Sequence, residues 1–188
     1  MDAIEAIKSR RSIRAWTGQN ITDDILSQIL EAGRWSPSPL NSQPWHFIVV
    51  KEKETIESLS LKAQEGSFLQ FTNTCIVITV NKHNSSLTDK NDAHASLIVW
   101  LEKHDQYVYS AVCALQNMWL AAWNLGLGGC WVTVDEETTR EILEIPDDQV
   151  IIGSLALGYV KGTSVPHREL DRKPLSEIVF FEKYGVRR

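Results

Sequence analysis

No CxxC pair, no HExxH run and no GxSxG elbow occurs in this chain, which removes motif support for a dithiol redox protein, a zinc hydrolase or an elbow-type serine hydrolase. The histidines, at 46, 83, 94, 104 and 167, include no pair at the spacing that places two ligands on one helix face. An excess of positive charge is also missing. The 188 residues carry 19 basic against 24 acidic side chains, a formal charge of −5, which argues against general nucleic-acid binding. No apolar run approaches the roughly 20 residues that a bilayer-spanning helix needs. Asp2, Glu5 and Lys8 deny the N-terminus a signal-peptide core, so a soluble, cytoplasmic protein without a membrane partner is expected. The three cysteines, 75, 113 and 130, are odd in number and set in apolar surroundings, as expected of buried reduced thiols. Neither a repeat nor a Pro/Ser linker divides the chain, and 43% hydrophobic content fits one domain over residues 1–188.

Against this acidic background, Arg10-Arg11-Ser12-Ile13-Arg14 places three arginines within five residues. Guanidinium groups are planar, permanently charged and able to hold two phosphate oxygens at once, and Ser12 adds a neutral donor. Two readings fit: a solvated basic end of the helix that Ile4 and Ile7 mark over Asp2–Arg10, or a site for one fixed anion.

Periodicity predicts a second helix from Thr22, with Ile25, Leu26, Ile29 and Leu30 on one face, Thr22 as its N-cap and Gly33 as its stop. Strands are predicted at His46–Val50, Cys75–Val80, Gly129–Val134 and Val150–Val160, with the second apolar enough to be buried on both faces. Helices are predicted over Thr55–Gln64, over Ala95–Leu101 and from Asp135 to Leu143. The most apolar, Tyr109–Leu125, reads as the central one. Beyond Lys161 the chain is charged and loop-like except for Ile178-Val179-Phe180-Phe181. Little local core can bury that patch, so the arm is better explained if it wraps another subunit.

Three prolines stiffen the loop Ser36 to Pro44, which carries Asn41, Ser42 and Gln43. Rigid amides there can read a heterocycle edge carrying both donors and acceptors, or they can satisfy their own backbone. Gly126-Leu127-Gly128-Gly129 follows a helix rather than opening one, so it is no phosphate loop; it is either a turn or a place where backbone approaches a flat ring. Arg168, Arg172 and Lys173 form a second basic group, either a solvated tail or the other half of a phosphate clamp.

Taken in order, Arg10-Arg11-Ser12-Ile13-Arg14, Pro37-Ser38 with Asn41-Ser42-Gln43-Pro44-Trp45, Gln116-Asn117, Gly126-Leu127-Gly128 before Cys130-Trp131, Arg172-Lys173-Pro174-Leu175 and Glu182-Lys183-Tyr184-Gly185 closely resemble the nitroreductase family. The resemblance implies a homodimeric α+β fold, a mainly antiparallel sheet flanked by helices, with FMN at the subunit interface. By the same resemblance Arg10, Arg11, Ser12 and Arg14 hold the FMN phosphate and ribityl end, joined by Arg172 and Lys173. Pro37 and Ser38 lie against the flavin from the other subunit, Asn41 makes a further polar contact, and backbone around Val132 and Thr133 approaches the reactive ring nitrogen. Hydride would pass from NADH or NADPH through the flavin to a nitroaromatic or quinone in a ping-pong cycle, with no side chain assigned as catalytic. Another flavin reaction on the same scaffold, such as reductive dehalogenation or alkene reduction, and a non-catalytic flavin-binding protein stay open. Ser110, where the family often has an acidic residue, and Leu40, where a smaller one is common, depart from the pattern. Residues 81–107 correspond to the segment that covers the flavin and selects substrates.

Overall fold

The computed structural model describes residues 1–63, 67–81, 95–103, 105–162 and 170–188. Four strands, β1 (Trp45–Val50), β2 (Thr74–Asn81), β3 (Leu127–Val132) and β4 (Gln149–Tyr159), form one sheet in the order β1-β2-β4-β3. Every pairing in it is antiparallel. The helices described are α1 (Ala3–Ser9), α2 (Asp23–Arg34), α3 (Lys53–Leu61), α4 (Ala95–Lys103), α5 (Gln106–Asn124), α6 (Glu136–Ile142) and α7 (Leu175–Ile178). This is the α+β arrangement expected from the sequence. None of these helices is long and apolar enough to cross a membrane.

β2 is the centre of the core because both of its faces are apolar. Its alternation sends Ile76, Ile78 and Val80 into a cluster with Leu26 and Ile29 of α2 and with Ala111, Leu115 and Met118 of α5. Cys75 and Val77, pointing the other way, join Ile56 and Leu59 of α3 and Ile13 and Trp16 of the N-terminal segment. The caps read from the sequence are in place: Thr22 Oγ1 accepts from the Ile25 N–H at 3.4 Å and Asp135 Oδ1 from the Thr138 N–H at 2.9 Å.

Gly33 does not stop α2. It lies inside the helix, which continues to Arg34, and it is buried where a Cβ would stand 2.8 Å from Met118 Cγ. The residue was selected by close helix packing rather than by a turn. β3 likewise begins at Leu127, two residues before the expected start, since only Gly126, with φ +82°, is needed for the turn. Cys75 and Cys130 are buried free thiols, but Cys113 is exposed, because α5 is apolar on most of its circumference and Cys113 falls on the remaining strip. The chain beyond Lys161 includes one helical turn, α7, in a region expected to be loop. Expectations for residues 82–94 and for Arg168 lie outside the described residues.

What positions the candidate site is the segment after α1. Ser12 bridges to Gly129 of β3 in parallel fashion, and the Ile13 N–H donates to the Gly129 carbonyl at 2.9 Å. The Trp16 Nε1–H donates to the Gly128 carbonyl at 2.9 Å, and the Thr17 N–H to the Tyr159 carbonyl at 2.8 Å. Such close stitching requires missing side chains beneath it. A Cβ on Gly128 would stand 2.7 Å from Ile13 Cβ, and one on Gly158 would stand 2.8 Å from Trp16 Cδ1. Ile13 is fully buried and has nowhere to retreat. Gly128→Ala is therefore expected to destabilise the protein by about 1–3 kcal/mol in denaturant unfolding. Gly18→Ala, which would meet nothing within 4 Å, is the control, with a change under about 0.5 kcal/mol.

Candidate functional site

Arg10 ends α1, which is tied to α5 by a 2.9 Å hydrogen bond from Trp123 Nε1 to Ser9 Oγ. Its guanidinium carbon lies 3.9 Å from the Trp119 ring centroid, and its Nη1 is buried without a hydrogen-bond partner among the described residues. Burial disfavours its charge, and Arg172 and Arg11 add like-charge repulsion, so its pKa is lowered. The Arg172 side chain thus belongs to the same neighbourhood although 162 positions separate it from Arg10 in the sequence. The exposed Arg14 has its guanidinium carbon 5.4 Å from the Phe68 ring centroid, and its field, like that of Arg10, reaches the Cys130 thiol. Burial still keeps the Cys130 pKa raised, and the favourable fields of Arg14 and Arg10 only oppose that effect.

Arg11 is partly engaged elsewhere. Its Nη1 donates to the carbonyls of Lys8, Ser9 and Arg10 at 3.0, 2.8 and 3.1 Å, which satisfies the open C-terminal end of α1. Its Nε is buried and, among the described residues, has no acceptor. The arginines therefore divide: Arg11 caps the helix, and Arg10 and Arg14 stand beside β3. None of Arg10, Arg11, Arg14 or Arg172 pairs with a carboxylate among the described residues. Arg10 and Arg11 are half-buried and each holds an orphaned N–H group, while Arg14 and Arg172 are exposed; such a group of cations fits one anion presenting several oxygens, as a phosphate monoester does. Lys173, next to Arg172, is exposed.

β3 is the edge strand on this side of the sheet. Past the Ser12–Gly129 bridge, no second strand covers Cys130 to Val132 among the described residues. Val132 is buried and Thr133, immediately after the strand, is exposed. The glycine stretch does not itself leave room for a ligand ring, since Ile13 fills the space over Gly128 and Trp119 the space over Gly129.

The proline loop is as rigid as expected, and it is held by its own backbone. Leu40, Asn41 and Gln43 all have positive φ, between 45° and 53°, a region that side chains other than glycine seldom occupy. Ser38 Oγ accepts from the Gln43 N–H at 3.0 Å, and Gln43 Nε2 donates to the Asn41 carbonyl at 3.3 Å, so Gln43 serves the loop itself. Pro37 and Asn41 are exposed. Asn117 Nδ2 donates to Ser36 Oγ at 2.8 Å and anchors the loop to α5. Asn117 and Trp119 lie two residues apart, roughly 200° around the helix. A single chain therefore brings Arg10, Ser12, Arg14 and Arg172 near β3, whereas the loop that carries Pro37, Ser38 and Asn41 is anchored through Ser36 to another face of α5. Trp119 beneath Arg10 and Cys130 beside Arg14 are the neighbours that sequence reasoning missed; Trp119 sits in an apolar helical stripe and reads there as core.

The profile of the Nitroreductase family matches residues 7–159. A protein of Archaeoglobus fulgidus, provisionally named an NADH dehydrogenase/NAD(P)H nitroreductase, is 32% identical over 165 residues, spanning 85% of this chain and 86% of that one. A Methanothermobacter thermautotrophicus protein under the same provisional name is 30% identical over 165 residues, spanning 85% and 78%. Among solved structures, an FMN-dependent nitroreductase of Clostridium difficile is 27% identical with a TM-score of 0.73, covering 96% of this chain and 99% of that one.

Ligand-free protein should be stabilised by an anion that fills the arginine cluster, because binding to the folded state alone raises its stability by mass action. Inorganic phosphate is expected to raise the melting temperature more than chloride at matched ionic strength. Excluded-solute effects of phosphate act on every variant alike, so the diagnostic result is a smaller phosphate increment in Arg10→Ala and Arg14→Ala. An equal increment in all three proteins would contradict the assignment.

Proposed function

The chain belongs to the nitroreductase family, and on that premise we propose that it is an FMN-dependent oxidoreductase taking hydride from NADH or NADPH and passing it to an organic acceptor. The observation that carries this reading is the arginine cluster, whose buried donors Arg10 Nη1 and Arg11 Nε await an acceptor. The FMN phosphate is such an acceptor, with two negative charges and three oxygens. The provisional names of the A. fulgidus and M. thermautotrophicus relatives support the donor class, and the FMN dependence of the C. difficile nitroreductase supports the cofactor.

In this reading Arg10, Arg14 and Arg172 face the phosphate, and the Ser12 hydroxyl and Arg11 Nε supply shorter-range donors. Lys173 adds charge at the same end. The open edge of β3, at Val132 and Thr133, presents backbone to the ring system. Pro37, Ser38 and Asn41, whose loop is anchored to a different face of α5 from the one that carries Arg10, come from the second subunit of a homodimer. The strained geometry of their loop keeps them in one arrangement before any ligand arrives. Exposed apolar side chains on α1 (Ile4, Ile7) and on the C-terminal arm (Leu175, Ile178, Val179) provide surface for that dimer.

FMN held by these residues would supply the redox chemistry that links a nicotinamide donor to an acceptor such as a nitroaromatic or a quinone. This chain's residues bind and orient it. One site beside the bound group would serve donor and acceptor in turn, so the expected kinetics are ping-pong. No side chain is assigned as a proton donor.

The purified protein is expected to be yellow, and NADH or NADPH to bleach it under anaerobic conditions. Each charge-assisted contact to phosphate is worth about 1.5–3 kcal/mol, so Arg10→Ala or Arg14→Ala should weaken FMN binding roughly ten- to a hundredfold and yield largely colourless protein. Full flavin occupancy in both variants would refute the assignment of the cluster, and intersecting rather than parallel double-reciprocal plots would refute the ping-pong cycle.

A further inference from the structure

Trp119 projects from α5 with 7% of its surface exposed. A Cβ on Gly129 would stand 3.0 Å from both Cδ1 and Nε1 of its indole, so the ring packs directly on the bare backbone of β3. On the ring face lies the Arg10 guanidinium, 3.9 Å from the centroid. The indole Nε1 is buried and has no hydrogen-bond partner among the described residues.

That orphaned donor is informative. A buried indole ordinarily reaches an acceptor, and a leucine at this position would fill apolar space without burying a donor. What indole adds here is its electron-rich face, and a cation rests on it. Arg10 needs such a neighbour. Burial and the nearby Arg172 and Arg11 all disfavour its charge, and its Nη1 has no acceptor of its own. Stacking also restricts orientation: a guanidinium lying flat on a ring keeps its N–H donors in its own plane, around the rim, with none consumed in holding it there.

We propose that Trp119 is the positioning residue for phosphate recognition, holding the Arg10 guanidinium over its ring so that the unpaired Nη1 meets the FMN phosphate. The proposal rests on the reading of the chain as an FMN protein. Trp119 acts through Arg10, so its influence reaches only the phosphate. Riboflavin, which has the same ring and ribityl chain but no phosphate, is indifferent to it.

The full-length protein is reconstituted with FMN or with riboflavin, and affinity is read from flavin fluorescence for the wild type, Trp119→Leu, Trp119→Phe, Arg10→Ala and the Arg10→Ala/Trp119→Leu double variant. Circular dichroism and melting temperature check each fold. Trp119→Leu is expected to weaken FMN roughly three- to tenfold and to leave riboflavin unchanged. Trp119→Phe, which keeps a weaker ring face and removes Nε1, is expected to retain most of the FMN affinity. In the Arg10→Ala background, Trp119→Leu is expected to have no further effect. Unchanged FMN affinity in Trp119→Leu, an equal loss for both flavins, or an undiminished loss without Arg10 would overturn the proposal. Should Trp119→Leu fail to fold, Trp119→Tyr and Trp119→Phe decide it, since loss of riboflavin along with FMN in either one marks a merely structural tryptophan. A wild-type protein that binds neither flavin would instead overturn the FMN reading itself.

Discussion

Residues 12–17 reach the sheet only because Gly128 and Gly158 carry no side chains, and the rest of the site depends on that contact. Ile13 and Trp16 occupy the volume that two methyl groups would take, and backbone hydrogen bonds to Gly129 and Tyr159 close the seam. Once the seam is closed, Arg10 and Arg14 have fixed starting points beside the β3 edge, and Trp119 comes up against Gly129 from the helix side. Arginine side chains are long and entropically costly to order. Anchoring their backbone to the sheet through the buried Ile13 and Trp16 restricts where they can reach.

The cluster is electrostatically unfavourable by itself. Among the described residues no carboxylate neutralises it, and burial adds to the repulsion that Arg10 feels from Arg172 and Arg11. A protein with a formal charge of −5 has acidic residues to spare, so the lack of a partner is a property of this place rather than of the composition. Such a site has an anion as its natural complement, and two of its donors, Arg10 Nη1 and Arg11 Nε, are already desolvated. The strained proline loop is anchored to α5 through Ser36 at Asn117, roughly 200° around the helix from the Trp119 that carries Arg10.

Much of this was legible in the sequence, for identifiable reasons. β2 announced itself because a strand buried on both faces has to be apolar at every position, and α5 because its apolar residues recur at helical spacing over most of its length. Thr22 and Asp135 were readable as caps since a cap depends only on neighbours three residues away. The arginine cluster stood out against the acidic background. Features that rest on distant packing were hidden. Gly33 reads as a helix stop until Met118 and Phe47 are seen against it. Gly128 and Gly129 read as a turn until Ile13 and Trp119 are placed over them. Arg11 is indistinguishable from its neighbours until its Nη1 is found on the carbonyls of α1. Nothing in the local pattern joins Trp119 to Arg10, because that contact exists only through the fold.

The central claim is that these cations hold a phosphate in its dianionic form. Phosphorus-31 NMR of the FMN-loaded protein tests it most directly, since the second ionisation of a phosphate monoester lies near pH 6. Surrounding cations favour the dianion and push that ionisation to lower pH. The bound resonance is therefore expected to keep one chemical shift from about pH 5 to 8, whereas free FMN moves across that range. A bound resonance that titrates near pH 6, as in free FMN, would contradict the account.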